Sequence, residues 1–465
     1  MDEVKVNEEN KALASGFVSE RNKSKRSEAC VYLVGGYIRD KILNKTTPDK
    51  DLVVVGESAG DYAKRLGGRV VLLDAENQIY RVVMEDGTYF DVTSISVPNG
   101  TSCLLAEAAL KKDALRRDFT INSIYQNLKT GEFFDPHNGR EAISKRRIET
   151  ARLENLIDDP LRMLRAFRFA AVLGFTIGKE ILNFTRQNAK LIQKVAKERI
   201  NYELIKMFEG DWVVENLYVM HKTGLLAEIF PFVNEIEKIP SNTHHHLPLL
   251  EHSIETVRNL DSCDPLLKIA AFIHDIGKPS CWTIERDTGR HRFIGHDIKG
   301  EKLAVAELKR LKFSRKQIDF ISKMVLHHIH PSSLMQQEDR TDKALIRFIR
   351  KLDPYVEEVI ALARADRLSA QGPAITPEKT AQNLKNLDEL LEFYRRIKPR
   401  LVELPKLLDG REVAKLLNIK PGKALGEAVD ALREAQLEGV VKTKEEAAEF
   451  LAQQYARTPE KSRPD

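Results

Sequence analysis

The chain is short of cysteine: Cys30, Cys103, Cys263 and Cys281 stand far apart, with no Cys-x-x-Cys among them. That spacing excludes a disulfide framework and a zinc knuckle, and it fits a reducing cytoplasm. No run of about 18 apolar residues occurs, and the N-terminus alternates acids and bases where a secretory signal would be basic, then apolar. Neither membrane insertion nor secretion is expected. Strong net charge is missing too. Lys and Arg number 74 against 69 Asp and Glu, a formal +5, so any nucleic-acid binding must rest on local patches. Candidate patches are Lys111, Lys112, Arg116 and Arg117; Lys145, Arg146 and Arg147; and Arg395, Arg396, Lys398 and Arg400. At 465 residues, 42% of them hydrophobic and 31% charged, the expectation is a soluble enzyme of two to four domains.

What is present is concentrated in one stretch. Val34-Gly-Gly-Tyr-Ile-Arg-Asp40 is followed nine residues later by Asp49-Lys-Asp51 and a Leu-Val-Val-Val run. Val31 to Val34 reads as a short buried strand, Gly35 and Gly36 as a turn, and Tyr37 to Leu43 as a helix start that would favour an anion. Glycines let backbone N–H groups approach a phosphate closely, and Arg39 would point toward the same end. Side chains two apart on a strand project to one face, roughly 6.5 Å apart. Asp49 and Asp51 therefore suit a two-metal clamp with ions about 3.5 to 4 Å apart. Asp91, in Tyr89-Phe-Asp-Val-Thr93 after the Glu85-Asp86-Gly87 hairpin turn, is the candidate third carboxylate.

The combination resembles the nucleotidyltransferase superfamily that includes DNA polymerase beta. More narrowly, it is similar to the bacterial-type (class II) tRNA nucleotidyltransferase and poly(A) polymerase family. Further motifs carry that likeness: Leu115-Arg-Arg-Asp-Phe-Thr-Ile-Asn-Ser-Ile124, Phe134-Asp-Pro-His-Asn-Gly139, Asp158-Asp-Pro-Leu-Arg-Met-Leu-Arg-Ala-Phe-Arg-Phe169 and Glu198-Arg-Ile200. Arg116 and Arg117 are permanently charged planar donors suited to triphosphate oxygens, with Asp118 and Asn122 placed to orient them or to bond the ribose. Arg162, Arg165 and Arg168 recur every three residues and wind along one side of a helix. Asp159, three before Arg162, is expected to form an i,i+3 pair with it. The resemblance implies more for that pair: Asp159 and Arg162 read the edge of the incoming base, while Arg165 and Arg168 contact phosphate.

A second constellation follows the turn-rich Pro240-Ser-Asn-Thr-His-His-His-Leu-Pro248. His252 on an amphipathic helix, the adjacent His274 and Asp275, and the distant Asp366 resemble the HD phosphohydrolase domain, which binds a divalent metal inside a helical bundle. Mixed imidazole and carboxylate ligands suit Mn, Ni, Co, Fe or Mg better than structural zinc. His296 and His328 match the extra ligands of two-metal HD domains, with His327 as an alternative to His328. Lys278 lies one turn beyond His274 and is placed to meet a substrate phosphate.

The resemblance implies an α+β protein. Its parts would be a weakly ordered leader (1–28), a polymerase-beta-like head of mixed sheet and helices (29–149), an all-α neck with the base-selecting residues (150–240), an all-α HD domain (241–370) and a helical tail (371–465). In the tail, helices are expected around Leu384 to Ile397 and Gly426 to Glu438, separated by turns at Asp409-Gly410 and Pro421-Gly422; disorder is expected after Tyr455. Lys420 and Lys423 offer a phosphate-backbone contact. The implied partners are a tRNA 3′ end, CTP and ATP, with Mg2+ in the head; no membrane is implied, and nothing indicates the oligomeric state. Relatives that build all of CCA usually carry a mobile Asp-, Gly- and Arg-rich loop before the Arg-Arg-Asp motif. The main expectation is template-independent addition of CCA, or part of it, with release of pyrophosphate; the interval Ser94 to Lys112 is short and lacks arginine, which raises addition of CC or A alone as the alternative. Poly(A) synthesis is a further possibility, and so is an HD phosphohydrolase whose head only grips RNA.

Overall fold

The computed structural model describes residues 30–97, 103–242, 246–403, 405–437 and 439–455. The expected leader over 1–28, the end after Tyr455 and the centre of the histidine-rich loop, residues 243–245, lie outside the described residues. The chain divides into two compact units, with the break between Pro231 and Phe232.

The first unit is built on a sheet of seven strands in the order β3-β4-β5-β2-β1-β6-β7. The strands are β1 (Cys30–Val34), β2 (Asp49–Val55), β3 (Arg69–Asp74), β4 (Ile79–Val83), β5 (Tyr89–Ile95), β6 (Tyr125–Asn127) and β7 (Phe133–Phe134). Strand β2 runs antiparallel to β1 and parallel to β5, so the sheet is mixed, as expected. The hairpin turn at Glu85-Asp86-Gly87 joins β4 to β5 in antiparallel pairing. Two short helices follow β1 and β2, α1 (Gly36–Ile42) and α2 (Ala59–Arg65), and a longer one, α3 (Cys103–Arg116), follows β5. Period-2 alternation puts Tyr32, Val34, Val53 and Val55 on one face, where they pack against Ala106, Leu110 and Ala114 of α3. Asp51 belongs to that same face, two residues before Val53. This register is what brings the strand carboxylate out at the end of the sheet.

After the sheet come α4 (Gly139–Ser144), still within the head, and then α5 (Glu154–Asp158), α6 (Leu161–Leu173), α7 (Lys179–Asn188), α8 (Lys197–Phe208), α9 (Val213–Lys222) and α10 (Leu225–Ile229). Pro160 starts α6, where its missing N–H costs nothing, and Gly174 closes it in the left-handed conformation. The buried stripe of α6, including Met163, Leu164, Phe167 and Ala171, packs against α8 and α9. The region is not purely helical. Two-residue strands β8 (Arg147–Ile148) and β9 (Thr176–Ile177) pair in parallel beside α6.

In the second unit, α11 (Val233–Ile236), α12 (Leu249–Arg258), α13 (Pro265–Ile273), α14 (Lys278–Cys281), α15 (His296–Arg310), α16 (Arg315–His327), α17 (His330–Met335), α18 (Asp342–Leu352) and α19 (Val356–Ser369) form a bundle. A small hairpin, β10 (Thr283–Ile284) with β11 (His291–Arg292), corrects the expectation of helix throughout. It turns at Gly289 (φ 66°), with Gly289 N–H donating to the Glu285 carbonyl. The long α20 (Pro377–Glu403) follows, then α21 (Gly410–Leu417), α22 (Lys423–Leu437) and α23 (Lys444–Tyr455) around Val413, Leu432, Ala447 and Leu451.

Helix α21 was not expected, since Asp409-Gly410 reads as a bare turn. Asp409 is instead an N-cap: its carboxylate accepts from the N–H groups of Arg411 and Glu412, and Glu412 accepts from the Asp409 N–H in return. Replacing Asp409 with Ala is expected to cost about 1 kcal/mol locally. Amide hydrogen exchange across residues 410–417 should quicken several-fold while exchange in α12 stays unchanged.

Candidate active site and metal centre

In the first unit the strand register sets two of the three candidate carboxylates side by side on the sheet. Asp51 and Asp91 are register partners on adjacent parallel strands, and Val34, the last residue of β1, pairs with Asp51 from the other side. Gly35 follows at φ 77°, in the left-handed region, and a Cβ there would collide with the Asp51 carboxylate. Only glycine fits, for backbone conformation and for space. Asp49 opens β2 two residues before Asp51. Asp91 is held by Arg81, through paired bonds of 2.8 Å from Nε and Nη2.

Arg39 is buried, and its Nη1 donates to Asn122 Oδ1 at 2.8 Å. Gly36 lies under the same guanidinium, with its Cβ position 3.4 Å from Arg39 Nη2. Asn122 in turn donates to Asp118 Oδ1 at 3.1 Å. Asp118 Oδ2 takes two bonds from Arg165, Nε at 3.0 Å and Nη2 at 2.6 Å. Arg165 Nη1 reaches Glu203 at 2.8 Å, and Arg168 Nε lies 2.6 Å from the other Glu203 oxygen. Guanidinium carbons of Arg39, Arg165 and Arg168 stand 5.0, 5.5 and 3.9 Å from the centre of the Phe169 ring. Three arginines thus gather around one aromatic ring beside the Gly35-Gly36 turn. Burial alone would raise the Asp118 carboxyl, but Arg165, with Asn122 and the Phe119 N–H, outweighs it and holds Asp118 down at about 2.

Two expectations need correction here, and one residue was missed. Asp118 and Asn122 do not orient Arg116 or Arg117. Both of those arginines turn instead to Asp113, with Arg117 also on the Tyr125 hydroxyl. The orienting partners belong to Arg165 and Arg39, because the chain bends at the end of α3 and sends Arg117 and Asp118 to different sides. Nor do Asp159 and Arg162 pair. Asp159 precedes Pro160, which bars it from helical geometry (φ −137°, ψ 95°), so the i,i+3 stacking of a helix is absent. Asp159 pairs with Arg199, Oδ2 to Nη2 at 2.8 Å, while Arg162 Nη1 donates to the Asn155 carbonyl at 3.2 Å. Glu203 escaped the sequence reading. Its signal was present, an acid among the buried positions Ile200, Leu204 and Met207 of α8.

The second unit gathers all six expected ligands. His252 Nε2 faces His274 Nε2 at 3.3 Å, and His296 Nε2 faces His328 Nε2 at 3.2 Å. Asp275 lies between the pairs, Oδ2 at 3.2 Å from His274 and 3.5 Å from His252, Oδ1 at 3.5 Å from His296 and 3.7 Å from His328. Asp366 Oδ1 closes the first group, 3.1 Å from His252 and 3.6 Å from His274. His328, not His327, is the member of the cluster: His327 turns away to His330. Lys278 Nζ sits 2.6 Å from Asp275 Oδ2.

This donor set fits divalent metal. His274, His296 and His328 each set Nδ1 against a main-chain carbonyl at 2.7 or 2.8 Å, which fixes the proton on Nδ1 and turns the Nε2 lone pairs toward one another. Buried lone pairs about 3 Å apart call for a cation between them. Asp275 Oδ1 is buried without a hydrogen-bond donor. Burial, aided by His274, pushes His328 down to about 3 and keeps its imidazole neutral. Burial also pulls on His274, yet Asp275 and then Asp366 outweigh it and raise that imidazole to about 10, so that a second proton, on Nε2, takes the place a divalent cation would fill beside the buried anions. A cavity of about 790 Å3 opens beside the cluster, lined by Lys278, Arg290, Arg292, Phe293, Ser332, Gln336 and Arg367.

Fold and sites together define a nucleotidyltransferase head joined to an HD-type metal centre. Matching family models follow that division: the "Poly A polymerase head domain" over residues 31–149, the "Probable RNA and SrmB- binding site of polymerase A" over 174–237 and the "HD domain" over 249–371. A CC-adding tRNA nucleotidyltransferase of Thermus thermophilus is 32% identical over 429 residues, covering 90% of this chain and 92% of its own. An A-adding tRNA nucleotidyltransferase of Deinococcus radiodurans is 30% identical over 439 residues, with 92% and 96% covered. The chain belongs to the tRNA nucleotidyltransferase and poly(A) polymerase family. Its fold is that of the Bacillus stearothermophilus CCA-adding enzyme solved with CTP (TM-score 0.59, 21% identity, 92% and 93% covered) and of the Thermotoga maritima CCA-adding enzyme solved with tRNA (TM-score 0.57, 19% identity, 92% and 91% covered).

Two outcomes are expected. Asp118, with its folded-state pKa below the ordinary value, contributes stability that is complete above pH of about 4 and fades as pH falls through about 2. Asp118→Asn should therefore lower the stability of the first unit by about 2 kcal/mol at pH 7 in urea unfolding, with the gap to wild type closing as pH falls below 4. Titration calorimetry with Mn2+ should show binding to wild type that Asp275→Asn abolishes, with the circular dichroism spectrum unchanged.

Proposed function

We propose that the chain adds nucleotides singly from CTP or ATP to a tRNA 3′ end, building CCA or a part of it. The observation that carries this is the register that sets Asp51 beside Asp91 with Gly35 held against the Asp51 carboxylate. The terminal 3′-hydroxyl oxygen attacks the α-phosphate, the bond from that phosphorus to the bridging oxygen breaks, and pyrophosphate leaves. Asp49, Asp51 and Asp91 are the residues that would hold Mg2+, whose contribution is charge stabilisation of the attacking and leaving oxygens. Arg39 and the Gly35-Gly36 backbone steady the triphosphate, with Arg165 and Arg168 on phosphate oxygens. Arg116 and Arg117 are further phosphate donors, Asp118 and Asn122 orient the arginines around Phe169, and Asp159 and Arg162 read the base edge. Each amino-purine or amino-pyrimidine offers one N–H2 donor and one ring-nitrogen acceptor to that acceptor–donor pair. RNA is recognised by shape and end, with residues 29–149 as head, 150–240 as neck and 371–465 as a tRNA-contacting tail. The setting is the cytoplasm.

Partial addition is favoured by two observations: the arginine-free Ser94 to Lys112 interval and relatives at 32% and 30% identity that are CC-adding and A-adding enzymes. The six-residue cluster of the second unit is a second catalytic centre, a phosphohydrolase of phosphate or 2′,3′-cyclic phosphate ends. His252, His274, Asp275, His296, His328 and Asp366 would hold Mn, Ni, Co, Fe or Mg, and Lys278 meets the substrate phosphate.

The test is incubation with tRNAs lacking one, two or three terminal nucleotides and single NTPs. Extension by CTP alone marks CC addition, extension of the CC-ended transcript by ATP alone marks A addition, and Asp51→Ala should abolish either. Failure to extend any transcript sinks the reading.

A further inference from the structure

The sequence leads one to expect Asp159 and Arg162 to pair with each other, and the structure keeps them apart. Asp159 is held from α8: Arg199 Nη2 lies 2.8 Å from Oδ2 and Nη1 3.3 Å from Oδ1. The remaining bond to that carboxylate comes from the Leu161 N–H, also at 3.3 Å. Arg162 is held separately, on the Asn155 carbonyl at 3.2 Å. Asn155 is itself anchored, with its side-chain amide on the Leu115 and Arg117 carbonyls at 2.8 Å each. The two groups flanking Pro160 are therefore tied to different elements.

We infer that Arg199 is a positioning residue of base selection: it holds Asp159 away from Arg162, so that both stay open to the incoming base. The inference rests on the base-reading role proposed for Asp159 and Arg162. A carboxylate has about four acceptor sites and a guanidinium fork fills two of them, so a held Asp159 still accepts from the N4 amine of cytosine or the N6 amine of adenine. Without Arg199 the Asp159 carboxylate is free to swing toward Arg162, three residues on. The two readers would then satisfy each other, and an incoming base would have to break that pair first. Stability is not the main role of the Arg199 contact, because the Arg199 side chain is 54% exposed and that of Asp159 26%. Pairs so open to water contribute little to folding. Charge alone is not enough either, since the bond to Oδ2 and the bond to Oδ1 together fix an orientation that a single-point ammonium would not.

The test is steady-state kinetics with the tRNA substrate that wild type extends. Arg199→Ala is expected to raise the KM for CTP or ATP about tenfold with kcat within about twofold, and to leave tRNA affinity and the melting temperature unchanged. Arg199→Lys should recover part of the loss. In an Asp159→Ala background, Arg199→Ala should add nothing further, since the effect passes through Asp159. An unchanged nucleotide KM in Arg199→Ala, when Asp159→Ala alone raises it, overturns the inference and leaves the base-reading role intact. An unchanged KM in Asp159→Ala overturns the base-reading role itself. A full additive loss in the double variant shows that Arg199 acts elsewhere and also overturns the inference. If Arg199→Ala unfolds, Arg199→Gln keeps the side-chain bulk and carries the same readings.

Discussion

A buried charge must be paired, and in the first unit that constraint ties the site together. Asp118 and Glu203 are nearly inaccessible, and each would be strongly disfavoured as an anion on its own. They are tolerable because Arg165 spans them and Arg168 shares Glu203. The chain of contacts runs from Arg39 on α1 through Asn122 and Asp118 to α6 and α8. It therefore fixes the turn at Gly35-Gly36 against the helix that carries the arginines. Removing one member would leave the others as uncompensated charge, which costs far more than the pair contributes. The arrangement is better understood as specifying one geometry than as adding stability.

The same constraint operates in the second unit with the opposite balance. Asp275 is as buried as Glu203, but four of the five groups set around it are imidazoles, and Lys278 alone is a permanent cation beside it. A network of arginines satisfies its carboxylates from within the protein. A cluster of lone pairs does not, and the deficit is what a divalent cation would make up. The chemistry of the two sites is thus legible from how each resolves buried negative charge.

How far the sequence exposed this depends on the range of the interaction. Asp51 and Asp91 were legible because strand alternation and a hairpin turn are local rules, and their parallel pairing follows once β5 lies beside β2. The six residues of the HD-type cluster were legible through their likeness to the HD domain, and the fold brings them together inside an apolar bundle. The choice of His328 over His327 was not, because adjacent residues at a helix end differ only in where the bundle lies. Glu203 and Arg199 went unread as partners because α6 and α8 meet only in the folded unit. Arg116 and Arg117 look alike in sequence, yet the bend after α3 decides which neighbours each has. Short elements were lost as well: two residues make too little periodicity to reveal β10 and β11, and a capping aspartate looks like a turn until its glutamate partner is seen folded back.

Pro160 shows how one residue can overturn a sound local rule. Three residues apart on a helix means adjacent, and the sequence from Asp159 to Arg168 is otherwise uniformly helical. Proline at the N-cap, just before Leu161, removes Asp159 from the helix without disturbing anything after it. The acid is left on extended backbone at the mouth of α6, where its partner comes from another helix. An acid and an arginine three apart on one continuous helix would pair with each other and present no free edge. Setting the acceptor just outside the helix and the donor just inside it separates the two by construction, and the contact from Arg199 then decides where the acceptor rests. Under the base-reading role proposed for Asp159 and Arg162, selection between bases with the same donor and acceptor pattern becomes a matter of how far that acceptor can shift, and control of the product would then lie in the loop between α5 and α6 as much as in the strands that carry the carboxylates.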